Sequence, residues 1–117
     1  MKTSDTPVLD TIAAMTVDSL ERCGMTPNAL ILTRLAALAA MDAPPISYLA
    51  HIGPMEQADV TAEQVQDLLV AIAPVVGTAR VMSAAVHITE ALGFAIAVAE
   101  GESEAMGKGG AAKGRAK

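Results

Sequence analysis

The chain has 117 residues, 52% hydrophobic and only 18% charged, with a net charge of −5. That length makes one domain rather than two, and the acidic balance argues against a nucleic-acid footprint on the body. With one Phe, one Tyr and no Trp there is little from which to build a base-stacking surface.

The charge is unevenly placed. Residues 1–100 carry four basic side chains against eleven carboxylates, whereas residues 101–117 carry four against two. Cys23 is the only cysteine, so the chain has no internal disulfide, no C-x-x-C pair and no cysteine-built metal site. Residues 1–10 are polar and contain no signal-peptide core. The most apolar runs, 35–41 and 68–76, fall short of the roughly 20 residues a membrane span needs. The expectation is a cytoplasmic protein with no membrane contact.

The apolar content is mostly Ala, Leu, Val, Ile and Met, and five helices are expected. The first begins at Thr6-Pro7, with Thr6 as N-cap, and Gly24 stops it. Its apolar positions are Val8, Ile12, Met15 and Leu20. The second repeats the start signal at Thr26-Pro27 and runs to about Met41 through Ile31, Leu35 and Leu38. Pro44-Pro45 breaks the chain and opens a short third helix over 46–52. Gly53-Pro54 ends it, and the stretch to Asp59 makes a turn.

Thr61 caps the fourth helix, and Gln64 completes a capping-box pattern. Val65, Leu68, Leu69 and Ile72 face inward, and Pro74 with Gly77 closes the segment. The fifth helix starts at Thr78 and reads to about Glu100. Its stripe of Val81, Ala85, Ile88, Leu92 and Ala95 is flanked by a second, also largely apolar. A helix apolar on most of its circumference must be covered on most of it, so copies of the chain are expected to pack together. Residues 1–100 thus form one helical domain. The Gly- and Lys-rich tail over 101–117 is expected to be disordered, touching nucleic acid at most weakly.

The middle of the chain, about 29–92, resembles the carboxymuconolactone decarboxylase and alkylhydroperoxidase superfamily. The resemblance lies in the small-residue helix LTRLAALAAM, the break and PPISYLAH ending in His51, the VTAEQVQDLLVAIAPVVG segment, and the long helix that follows. It implies an all-α fold with short helices docked on longer ones, assembled as a homotrimer or hexamer. Redox members of that family carry C-x-x-C four residues before the histidine. Set against His51, the two thiols would fall at Pro44 and Ser47, so thiol peroxidase activity is not expected. Decarboxylase-type members often carry Glu at the Ser47 position, and that carboxylate is absent too.

His51 remains. On a helix it shares a face with Ser47 and Tyr48. Its imidazole suits general acid–base work near neutral pH, with Tyr48 donating a hydrogen bond to a developing charge and Ser47 orienting either. Arg34 and His87 are the candidate substrate-binding residues. Two histidines without a third ligand make no metal site, and no cofactor is implied. One expectation is a cofactor-free lyase that decarboxylates a small carboxylated lactone or oxo acid. The other is a non-catalytic oligomeric binding or scaffold module with a degenerate site, in which His51 is structural and Tyr48 is packing.

Overall fold

Proline and threonine set the helix starts. The computed structural model describes the backbone of residues 4–114 and the side chains of residues 4–93 and 95–97. Its helices are α1 (Pro7–Arg22), α2 (Pro27–Ala40), α3 (Pro45–Leu49), α4 (Ile52–Gln57), α5 (Ala62–Val76) and α6 (Thr78–Gly114). No strand occurs among the described residues. Proline opens α1, α2 and α3, where its missing N–H is not needed. Thr26 Oγ1 accepts from the Ala29 N–H at 3.2 Å. Thr61 and Gln64 form both bonds of a capping box, at 3.0 and 3.1 Å. Thr6 holds the N-cap position of α1, but its hydroxyl turns to Asp10 Oδ1 at 3.2 Å and makes no cap bond.

The five expected helices are present, and α4 is an addition. Gly53-Pro54 does not end a helix there. Both residues lie in the first turn of α4, whose N–H groups have no intrahelical partner, so proline removes nothing the helix uses. Pro74 likewise sits inside α5, which continues to Val76 and stops at Gly77, with φ +92°. α6 is bounded at Gly114, past Gly101, where the tail was expected to begin. Residues 115–117 of the expected tail lie outside the described residues.

Two helices end in the same way, with Asp where glycine is usual. Asp42 and Asp59 both adopt φ +57°. After α2, the Asp42 N–H bonds Ala39 O and the Ala43 N–H reaches back to Leu38 O. After α4, Asp59 bonds Glu56 O and Val60 bonds Met55 O. These are paired Schellman closures, and they reverse the chain in minimal length.

The core is small and lies where α2, α3 and α5 meet α6. Its buried members are Leu30, Ile31, Leu35 and Ala39 of α2, Ala43, Tyr48 of α3, Val65 and Leu68 of α5, and Ala84 and Ala91 of α6. Small alanines let α3 approach α6 closely. The most deeply buried stripe of α6 is therefore the one carrying Ala84 and Ala91, while Leu92, on the neighbouring stripe, is 40% exposed. Within α6, the segment Thr78–Ala97 is apolar and long enough by length and composition to cross a membrane, beyond what the sequence runs suggested. One face of it, at Ala84 and Ala91, is covered by the chain's own helices, while only 18% of the segment is buried.

α1 stands apart. None of its residues is buried. Val8, Leu9, Ile12, Met15, Val17 and Leu20 all leave about half or more of their surface in water.

Candidate functional site

His51 closes α3 and serves as the N-cap residue of α4, with φ −100° and ψ −1°. Its ring is half-buried, and Nδ1 lies 2.8 Å from the carbonyl oxygen of Ser47, one turn back. A carbonyl only accepts, so Nδ1 carries a proton and the neutral ring keeps Nε2 as its basic atom. Ser47 therefore engages His51 through its backbone, not its hydroxyl.

Tyr48 points the other way, into the core. It is 1% exposed, and its Oη is buried without a hydrogen-bond partner. Burial, reinforced by the negative charge of Asp42, holds its phenol above the ordinary 10.0. A hydroxyl sealed in this way does not reach a substrate, so the expected pairing of Tyr48 with His51 on one open face is not formed.

His87 is placed differently from both. Its Nδ1 bonds the carbonyl oxygen of Ala43 at 2.8 Å. Ser83, one turn earlier, donates its hydroxyl to Asp42 Oδ1 at 2.6 Å, and Arg80 Nη1 donates to Ala40 O. Three side chains on one face of α6 thus grip the turn joining α2 to α3. Within one chain this gives His87 a clamping role, and sequence spacing carried no signal of it.

Arg34 is half-buried on α2. Its Nη2 donates to Ser19 Oγ of α1 at 2.9 Å. It lines a cleft of about 360 Å³ between α1, α2 and α4, which none of Ser47, Tyr48, His51 and His87 borders. A second cleft, of about 390 Å³, lies between α4, α5 and α6. It is walled by Met55, Val65, Leu69, Ile88 and Leu92, with Glu56, Gln66 and Thr89 adding polarity. No expected site residue lines it. One chain therefore does not gather the expected residues around a single cavity.

A polar contact that the sequence reading missed ties the start of α2 to the α4–α5 turn. Asn28 Nδ2 donates to Gln64 Oε1 at 3.0 Å, and Gln64 Nε2 donates back to Asn28 Oδ1 at 3.2 Å. Asn28 also reaches the Ala58 carbonyl at 3.2 Å. Gln64 was legible as a capping residue, but its second role depends on a partner 36 positions away. Among the described residues, no group of three or more His, Cys, Asp or Glu could hold a metal ion. No protein-family model, curated protein or solved structure matches the chain.

Proposed function

We propose that the chain is a carboxymuconolactone decarboxylase-like helical protein that works as a homo-oligomer, a trimer or a hexamer, and serves as a binding or scaffold module. The observation that carries this reading is α1, an amphipathic helix that buries no residue in its own chain. Water-exposed Met82, Val86, Leu92 and Ile96 on α6 add a second apolar surface for a neighbouring copy to cover. The dispersal of His51, Arg34 and the Tyr48 hydroxyl into separate surroundings favours a module over a catalyst. Sedimentation velocity of the full chain at micromolar concentration tests the assembly. A trimer or hexamer supports it, and a monomer contradicts it.

A second reading has one observation in its favour. The Ser47 carbonyl fixes the tautomer of His51 and leaves Nε2 as a free base on a half-buried ring. On this reading His51 moves the proton in decarboxylation of a small carboxylated lactone or oxo acid, with no cofactor. His51→Gln then lowers turnover by about 10²–10⁴-fold while helix content and assembly stay unchanged. A panel of carboxylated lactones and oxo acids without turnover by the wild-type protein contradicts this reading.

A further inference from the structure

Arg34 is a cation without a carboxylate. The chain carries thirteen acidic residues, yet the only ion pair among the described residues is Arg22 with Asp18 on the surface of α1. Of the guanidinium's five N–H donors, the one bond recorded is that from Nη2 to the neutral Ser19 hydroxyl. The cleft beside it, about 360 Å³, is walled by Leu20, Leu30, Ile31, Pro54 and Ala58, with Thr16 and Gln57 supplying further polar groups. That volume lies at the lower end of the range for small-molecule sites, and an apolar wall with a few polar groups is their usual composition.

A half-buried guanidinium facing apolar walls selects a ligand with two properties. It needs a planar anionic head able to take two parallel N–H bonds, and it needs a hydrocarbon body. We infer that the cleft between α1, α2 and α4 binds a small amphipathic carboxylate, with Arg34 holding the head group and Leu20, Ile31 and Pro54 covering the tail. The site is complete within one chain and is not bordered by His51. It shares α1, through Thr16 and Leu20, with the proposed assembly surface, and it is independent of any acid–base role for that histidine.

Isothermal titration calorimetry of the full chain with octanoate tests the site, with 1-octanol and octyl phosphate as comparisons. Octanoate binds saturably, at least about tenfold tighter than 1-octanol, since a hydrogen bond to a charged group carries that difference. Arg34→Gln weakens octanoate binding by about 10–100-fold and brings it level with 1-octanol. Ala58→Leu, which fills the cleft from another wall, also abolishes binding, and it supplies the test should Arg34→Gln fail to fold. No saturable octanoate binding, equal affinity for 1-octanol, or an unchanged affinity in the folded variants would overturn the site. Tighter binding of octyl phosphate than of octanoate would overturn the assignment to a carboxylate.

Discussion

His87 Nδ1 lies 2.8 Å from the carbonyl oxygen of Ala43, joining α6 to a turn 44 positions earlier in the chain. Ser83 and Arg80 hold Asp42 and Ala40 of the same turn. Since α3 departs from this turn, the three contacts set where Tyr48 enters the core. His87→Ala removes the partner of a carbonyl on buried Ala43 and costs about 1–3 kcal/mol. Ser83→Ala costs less, because Asp42 is exposed and water replaces the lost bond. Urea unfolding of both single variants and the double variant measures the coupling. Strictly additive losses would show that the residues do not act as a unit.

Tyr48→Phe stabilises the protein, by about 1–3 kcal/mol at neutral pH, because it removes a buried hydroxyl that has no partner. The pH dependence has a definite sign. Burial, then the Asp42 charge, raises the phenol's pKa in the folded state above the 10.0 of the unfolded chain. Below pH 10 both states hold the proton. Above it the unfolded state ionises first, so wild type loses stability as pH rises and the Phe variant is spared that loss. Thermal melts from pH 7 to 11 check this. A destabilised Phe variant, or a gap that narrows above pH 10, contradicts the placement of the hydroxyl.

Asp59→Gly raises the melting temperature. The residue sits at φ +57°, a conformation that strains an L-residue by about 1–2 kcal/mol, more than the roughly 0.5–1 kcal/mol of backbone entropy that glycine gives up on folding. Asp42→Gly relieves the same backbone conformation but gives up the Ser83 bond at 2.6 Å, so its gain is smaller. Calorimetry on the two variants side by side tests the order. A larger gain at Asp42 would contradict it.

Local signals in the sequence were sufficient for most of the helices. Pro7, Pro27 and Pro45 mark helix starts, and Thr26 and Thr61 with Gln64 make the cap bonds their spacing predicts. The stops after α2 and α4 were harder to read, because aspartate occupies the left-handed position and only the backbone angle reveals it. α4 was hidden by Gly53-Pro54, a pair that breaks a helix interior yet is tolerated in a first turn. The site was less legible still. The phase of α6 depended on which stripe α3 approached, and the roles of His87, Asn28 and Tyr48 are set by partners far away in sequence. Tyr48 and His51 are three positions apart, and spacing alone put them on one face. The break in the helix at Ala50–His51 separates them.

Self-association is the central claim, and one sedimentation-velocity comparison tests it most directly. Ile12 is 53% exposed in its own chain, and α1 buries nothing there. A lysine at that position therefore leaves the isolated fold undisturbed but places a charge in any interface that α1 forms, at a cost of several kcal/mol. At micromolar concentration wild type should sediment as a trimer or hexamer, and Ile12→Lys, with the same helix content by circular dichroism, as a monomer or dimer. A monomeric wild type, or an Ile12→Lys variant that sediments with it as an unchanged oligomer, would contradict the account.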